Sequence, residues 1–478
     1  MPDLWGAKEA AAATGGVLVG PDNWTAAGVS IDTRTLAPGD LFVALKDVRD
    51  GHDFLPVACA RAAAGAMVRA DRVASAPPGL PLLAVPDVLE GLKALAVAAR
   101  ARARARRVAV TGSVGKTSTK EALALALAQA GITHASVKSY NNHWGVPLTL
   151  ARMPRDAAYG VFEVGMNHRH EILPLSEQVR PDIAVVTMIA PAHIENLGTL
   201  ENIAMEKADI FFGLAPGGVA LFNADAPHAD VLAAQARRAL AERAPGGRIV
   251  SFSALGARSA DVRLVKVRPD AAGADCVASV FGEETSYRLG APGKAWESNA
   301  LIVLAVTSLL GLGVRPAVEG LARLRALEGR GAAFEIHGPR GAFTVLDDAY
   351  NANPASMAAA IESLGVRPVA PGGRRIAALG DMLELGEGAR GYHRDLAAAL
   401  SAAGVDRVFC AGPLMATLWD ALPQSLKAGY ADDAPGLAPA VAAEAAAGDV
   451  ILVKGSNGSR MAYVVDALKA LAGREETA

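Results

Sequence analysis

Cysteine is nearly absent: Cys59, Cys276 and Cys410 are the only three in 478 residues, and no two form a Cys-x-x-Cys pair. That excludes a disulfide framework and a cysteine-built zinc site, and it suits a reducing compartment. Bias of charge is absent too. Lys plus Arg is 47 and Asp plus Glu is 49, a formal net charge of −2. Such a chain lacks the basic surplus of a nucleic-acid coat or of a binder of anionic membranes. No long apolar run is present. Leu301 to Val314 covers about 14 residues, includes Ser, Thr and Gly, and falls short of the roughly 20 a membrane span needs. The start, Met1 to Lys8, has no basic head followed by an apolar core, so no secretory signal is expected. These absences predict a soluble cytoplasmic protein. There is no internal repeat and no Asn-Lys-x-Asp guanine motif, which disfavours a GTPase switch.

What is present is a globular composition, 51% hydrophobic and 20% charged, enough for sizeable cores. Much of the apolar count is alanine, so the mean hydropathy of +0.25 overstates the apolar character. At roughly 100–200 residues per domain the length predicts about three domains. Residues 1–105 mix short β-like pieces, such as Leu41 to Leu45 and Leu82 to Val85, with alanine-rich helices. The helix predicted from Leu89 to Ala105 ends in an arginine-rich run, Arg100 to Arg107, expected as a solvated helix end. From Val108 strands and helices alternate, the pattern of a parallel α/β sheet. A polar segment from Val262 to Leu289 reads as an antiparallel extension, followed by a helix from Ser298 to Leu312. From about Gly331 a third block alternates strands and helices as a doubly wound domain does, with Pro368 to Gly373 and Pro435 to Pro439 expected as loops. The expected domains are 1–105, 106–329 and 330–478.

The strongest local motif is Thr111-Gly-Ser-Val-Gly-Lys-Thr-Ser118, between a strand and a helix. In that context Gly112, Ser113, Val114 and Gly115 bring backbone N–H groups toward phosphate oxygens, and the helix start adds partial positive charge. Lys116 can reach β- and γ-phosphates, the Thr117 hydroxyl can coordinate Mg²⁺, and Ser118 continues the motif. Val110 stands where the longer phosphate-loop pattern has another glycine, so this is the Gly-x-x-Gly-Lys-Thr variant. The loop alone leaves kinase, motor, nucleotide switch and ligase open. Glu163 ends an apolar strand, where a carboxylate beside a phosphate loop suits Mg²⁺.

Gly112 to Ser118 resembles the ATP loop of the Mur ligase family, which builds the peptidoglycan stem peptide. Asp347-Asp-Ala-Tyr-Asn-Ala-Asn-Pro354 and Leu379-Gly-Asp-Met-Leu-Glu-Leu-Gly386 resemble the segments of the member that closes the series. The likeness runs from Ser30-Ile-Asp-Thr-Arg34 to Lys454-Gly-Ser456. It implies an α/β fold of three domains: a small UDP-substrate domain, a central phosphate-loop ATPase-like parallel sheet, and a Rossmann-like domain for the amino substrate. It implies ATP and two Mg²⁺ sites, with UDP-N-acetylmuramoyl-tripeptide and D-alanyl-D-alanine as substrates, no nucleic acid, and a monomer. Competing readings are a ligase for other substrates, such as another Mur or folylpolyglutamate synthase-like enzyme, a phosphate-loop kinase or switch, and a non-catalytic nucleotide-binding scaffold.

Residue by residue, the resemblance implies Mg²⁺ ligation by Thr117, Glu163, His193 and a carbamylated Lys207, and a catalytic set of Lys116, Glu163, His193 and Lys207. Ala208 and Asp209 stand where the family usually has Gly and Glu. It implies nucleotide contacts for Asn299, Arg330, Asp348 and Tyr350. The family's His before Asn299 is missing, with Gly293-Lys294-Ala295 in its place. It implies substrate contacts for Ser30, Thr33 and Arg34 near UDP, for Asn141 and Asn142, and for Asn351, Asn353, Lys454 and Ser456. His143 is expected to pack. Asp40 reads as a turn residue. Asn457 replaces an arginine of the family, with Arg460 as a substitute. Asp381 and Glu384 either line the dipeptide side or stabilise the turn at Gly380.

Overall fold

The computed structural model describes residues 3–137, 139–270, 272–291 and 293–472. Residues 1–2 and 473–478, at the outer ends of the first and third expected domains, lie outside the described residues. The fold is α/β, built around sheets of five, nine and six strands, with a two-stranded ribbon near the N-terminus.

In the first sheet Leu82–Val85, Gly65–Arg69, Asp40–Val43 and Gly28–Ser30 run parallel, and Val17–Val19 joins one edge antiparallel. The helix Val88–Arg102 starts at Asp87, whose side chain accepts from Glu90 N. Leu92, Leu95 and Ala99 of this helix pack into a core that also takes in Leu148 and Ala151 of the next unit. Trp5 Nε1 donates to Ala151 O at 2.8 Å, and Arg152 Nε donates to Val29 O at 2.6 Å. The first sheet is therefore docked through the short helix Gly145–Ala151.

The arginine run is a solvated helix end only in part: Arg104 and Arg106 are exposed, while Arg100, Arg102 and Arg107 are half-buried. Arg100 donates to the carbonyls of Glu177 and Gln178, at the end of the helix Ile172–Val179, where cations suit the dipole. Arg102 lies over the Trp5 ring at 3.8 Å and pairs with Glu9 at 3.0 Å. Arg107 donates to Arg180 O. Of these, Arg100 binds the first unit to the second, while Arg102 is tied within the first and Arg107 within the second.

The nine-stranded sheet carries the phosphate loop. Arg106–Thr111 lies between Tyr159–Glu163 and Ile183–Val186, parallel to both. The chain leaves Arg106–Thr111 for Thr133–Ala135 on one side and later returns to Ile183–Val186 on the other. The order thus reverses at this strand, and the crevice above such a switch point is where open α/β sheets bind ligands. Beyond Arg248–Ser253 the sheet continues through Val262–Asp270, Gly273–Val280 and Glu283–Leu289, the last two joined antiparallel as expected. One face is covered by the helices Lys116–Leu127, Lys294–Leu309 and Arg315–Arg323, the other by Ile172–Val179, Leu200–Ala208 and Ala229–Glu242. Every residue from Asn299 to Thr307 is buried, so the longest apolar run is a core helix. Burial of each of its Leu, Ile and Val side chains contributes about 1.5–3 kcal/mol. Among the described residues no helix is long and apolar enough to cross a membrane.

The six-stranded sheet runs in the order Ala332–Gly338, Gly341–Asp348, Val450–Lys454, Arg375–Gly380, Arg407–Ala411, Lys427–Ala431, and only the first strand is antiparallel. Helices cover both faces. The expected loop Pro435 to Pro439 lies instead inside the helix Ala434–Glu444. Asp433 caps its start by accepting from Gly436 N, and Pro435 occupies the first turn, where a missing N–H costs nothing.

Candidate active site

The phosphate loop turns out of the strand Arg106–Thr111 at Gly112, φ +151°, and enters the helix Lys116–Leu127 at Gly115, φ +88°. A Cβ at Gly112 would lie 1.9 Å from Thr187 Oγ1. Thr187, on the neighbouring strand's extension, donates to Val114 O at 2.5 Å, and Ser113 N donates to Met188 O at 2.7 Å. The loop is thus pinned from the side. Lys116 Nζ curls back onto Gly112 O at 2.7 Å. Desolvation lowers the Lys116 pKa, with Glu163 opposing and Arg330 adding to the shift.

Thr117, Glu163 and Asn141 form one cluster. Thr117 Oγ1 donates to Glu163 Oε2 and Asn141 Nδ2 donates to Glu163 Oε1, both at 2.7 Å. Glu163 is 1% exposed. Ser139, which the sequence reading missed, stands beside them. Its Oγ lies 3.1 Å from Thr117 Oγ1 and accepts from Arg330 Nη2 at 3.1 Å. The Arg330 guanidinium in turn stacks over the Tyr350 ring at 4.1 Å. Three groups expected at the nucleotide therefore meet at one edge of the loop. Asn299 borders the loop on another side, where a Cβ on Gly115 would lie 3.0 Å from its Oδ1. Asn299 Nδ2, Ser113 Oγ and Thr111 Oγ1 are buried without a hydrogen-bond partner among the described residues. Buried polar groups are normally satisfied, so polar atoms left open around a phosphate loop fit a polar ligand there.

Lys207 is 1% exposed on the helix Leu200–Ala208. Burial, reinforced by the neighbouring Lys116 cation, pushes its ammonium well below the ordinary range. The preceding Glu206 accepts from His170 N, Glu171 N and Ile172 N, which fixes the helix that carries Lys207. His193 makes its contact elsewhere. Its Nδ1 lies 2.5 Å from Glu384 Oε2 in the third unit. Among the described residues no three His, Cys, Asp or Glu side chains form a ready-made metal cage. The oxygen donors Thr117 and Glu163 beside a phosphate loop suit Mg²⁺, which takes few protein ligands and relies on phosphates and water.

The remaining expected residues lie further out. Ser30 Oγ bonds within its own turn to Asp32 O, and Arg34 is exposed and paired with Asp32. Ile31 of this turn and Tyr140 pack against the same core, which puts the turn near the Asn141 loop. Thr33 shares the turn, and Asp40 accepts from Ala37 N as a turn residue does. Asn142 accepts from Gly145 N. Lys454 Nζ donates to Asp348 Oδ2 at 2.7 Å and to Asn351 O at 2.9 Å. Burial raises the Asp348 pKa and Lys454 opposes it. Asn353 and Ser356 form a reciprocal capping box on the helix Pro354–Val366. Ser456 Oγ joins Leu383 N to Ala352 O. The Asp381 side chain accepts from Leu414 N and Met415 N, which ties it to the start of the helix Ala416–Ala421 rather than to the turn at Gly380.

The chain matches the Mur ligase middle domain over residues 110–307 and the Mur ligase glutamate ligase domain over residues 334–457. It is 36% identical to the UDP-N-acetylmuramoyl-tripeptide–D-alanyl-D-alanine ligase of Escherichia coli K12, over 80% of this chain and 81% of that one. The enzyme of the same name from Bacillus subtilis is 31% identical over 92% of each chain. A crystal structure of MurF from Acinetobacter baumannii superposes with a TM-score of 0.81 at 26% identity, covering 98% of this chain and 99% of that one. MurF ligase from Thermotoga maritima in complex with ADP superposes at 0.75 and 25% identity, covering 93% and 97%. Likeness on this scale, with the loop and its partners in place, shows that the chain belongs to the Mur ligase family, among the UDP-N-acetylmuramoyl-tripeptide–D-alanyl-D-alanine ligases.

Proposed function

We propose that the chain joins D-alanyl-D-alanine to UDP-N-acetylmuramoyl-tripeptide with hydrolysis of ATP, in peptidoglycan precursor synthesis. The observation that carries this reading is the convergence of Lys116, the Thr117–Glu163–Asn141 cluster and Arg330 on one phosphate loop. A carboxylate is a poor acylating agent. An oxygen of the tripeptide's terminal carboxylate attacks the γ-phosphorus and ADP leaves, which gives an acyl phosphate. The dipeptide amine then attacks the acyl carbon, loses a proton, and inorganic phosphate leaves. Lys116 and Arg330 are the fixed cations for charge that develops on the transferred group. Positioning of the two substrates supplies much of the remaining acceleration.

Mg²⁺, when bound, supplies neutralisation of the β- and γ-phosphate charge. Thr117, Glu163, His193 and Lys207 as its carbamate are the groups to hold it, at two sites. Lys207 suits the modification because its desolvation favours the neutral amine, which adds to CO₂ and loses a proton. Residues 1–105 are assigned to the UDP moiety, with Ser30, Thr33 and Arg34 at it. Residues 106–329 hold ATP between Gly112–Ser118 and Asn299, with Asn141 and Asn142 toward the tripeptide. Residues 330–478 receive the dipeptide near Asn351, Asn353, Lys454 and Ser456, with Asp348 and Tyr350 facing the nucleotide. We place the enzyme in the cytoplasm as a monomer. Phosphate release from Mg²⁺-ATP and UDP-N-acetylmuramoyl-tripeptide, with and without D-alanyl-D-alanine, tests the reading. Release that needs both, with a pentapeptide product, is expected. Release that needs neither overturns it.

A further inference from the structure

The steps above leave Glu384 unused, although it makes the contact nearest to His193. Its Oε2 lies 2.5 Å from the buried His193 Nδ1, a close contact not aligned as a hydrogen bond, and its backbone oxygen accepts from Glu195 N at 3.3 Å. Both residues are strained: His193 has φ +58° and Glu384 has φ +62°. A left-handed non-glycine residue costs on the order of 1–3 kcal/mol and persists where its surroundings over-determine it. Here they do. Met382 and Leu385, on either side of Glu384, are buried in the core of the third unit. Ile194, next to His193, packs against that same core from the central unit. Leu383 N is tied to Ser456 Oγ. Two strained residues thus face one another across the boundary, each held by an apolar neighbour.

A metal-bound imidazole usually passes its second ring nitrogen to a carboxylate or carbonyl, which sets the ring's orientation. We propose that Glu384 is a positioning residue. It takes the Nδ1–H of His193 when the ring turns to present Nε2 to Mg²⁺, and it can do so only when the third unit is seated on the second. The inference rests on His193 being a metal ligand, as assigned above. It couples metal occupancy to domain seating through one side chain. A plain salt bridge between units would hold the seat and leave metal affinity alone.

The test uses the full-length enzyme with a non-hydrolysable ATP analogue and Mn²⁺ as the probe, with free Mn²⁺ read by electron paramagnetic resonance. Four variants are compared: Glu384→Ala, Glu384→Gln, His193→Ala and Glu362→Ala. The last breaks the exposed Lys294–Glu362 pair at the same boundary and serves as the control for seating. Expected is a loss of about 10- to 100-fold in affinity of one Mn²⁺ in Glu384→Ala, the range seen when a ligand's supporting group is removed. Glu384→Gln keeps an acceptor for Nδ1–H and recovers most of it, and Glu362→Ala matches the wild type. In turnover, Glu384→Ala needs more Mg²⁺ for half-maximal rate and regains its kcat at saturation. Wild-type Mn²⁺ binding in Glu384→Ala, beside a lost Mn²⁺ in His193→Ala, overturns the inference and leaves the assigned function intact. Glu384→Gln no better than Glu384→Ala also overturns it. Two Mn²⁺ retained in His193→Ala removes the metal role of His193, and the inference falls with it.

Discussion

Lys207 shows how one side chain's surroundings decide its chemistry. An ordinary helical lysine is solvated and protonated at neutral pH, whereas this one is buried beside a second lysine. Enzyme equilibrated with ¹³C-bicarbonate is expected to show one carbamate carbon resonance that disappears in Lys207→Arg. An unchanged spectrum in the variant would place the modification elsewhere. Gly112 is decided by space. Its Cβ would meet Thr187 Oγ1 at 1.9 Å, so Gly112→Ala must shift the loop. The expected result is a rise of about tenfold or more in KM for ATP, equivalent to about 1.4 kcal/mol, with the melting temperature nearly kept. Lys116→Ala removes a fixed cation, and kcat is expected to fall by about 100- to 1,000-fold, as when one preorganised charge-stabilising group is lost.

Among the elements, the helix Pro354–Val366 depends on its capping box at Asn353 and Ser356. Asn353→Ala is expected to cost about 1 kcal/mol in urea unfolding. If Asn353 also touches substrate, KM for the dipeptide rises as well, and if it only caps, KM is unchanged. The strand Thr133–Ala135 is tied to the helix Gly145–Ala151 by His134, a ring nitrogen of which lies 2.7 Å from Thr149 O. Desolvation lowers the His134 pKa below 6.5, and Thr149 opposes the shift. The folded state therefore holds it neutral where the unfolded chain would take up a proton. Its contribution is present above the unfolded value and is lost as pH falls below about 6.5 toward the depressed value. His134→Gln keeps a donor for Thr149 O and cannot titrate. Between pH 7.5 and about 5.5 its urea midpoint is expected to fall less than that of the wild type, and parallel curves would refute this. The alternation of strands and helices was legible because apolar runs such as Val108 to Thr111 and Ile183 to Val186 are bounded by glycine and polar turns. The helix at Ala434 was not, because two prolines read as a loop until Asp433 is seen capping it. Arg100 and Arg102 were misread because their partners, the carbonyls near 178 and Glu9, lie far away in sequence. Ser139 had no motif to announce it, since its place depends on Thr117 and Arg330 meeting there.

For the whole molecule, several of the contacts that hold the third unit to the rest are exposed. Lys294–Glu362 has side-chain exposures of 74% and 53%, and Lys469–Glu328 of 41% and 78%. Exposed pairs of this kind contribute about 0–1 kcal/mol each and are screened by salt. Raising NaCl from about 0.05 to 0.5 M, which shortens the screening length severalfold, is expected to increase the radius of gyration of the free enzyme. Mg²⁺-ATP should suppress that increase, because Arg330 then has phosphate to hold. Scattering curves identical at both salt concentrations would show that apolar contacts such as Ile194 set the domain arrangement alone. Arg330 itself lies between Gly329 and Gly331, both at positive φ, and this short segment is stitched to the third sheet. Asp347 accepts from Gly329 N through its side chain and from Gly331 N through its carbonyl, and Tyr350 N donates to Gly329 O. With Arg330 on the nucleotide as proposed, the joint between the units and the phosphate contact are one residue. A dye pair placed on either side of this joint would report nucleotide capture as a change in distance, so the chain carries the layout of an ATP gauge.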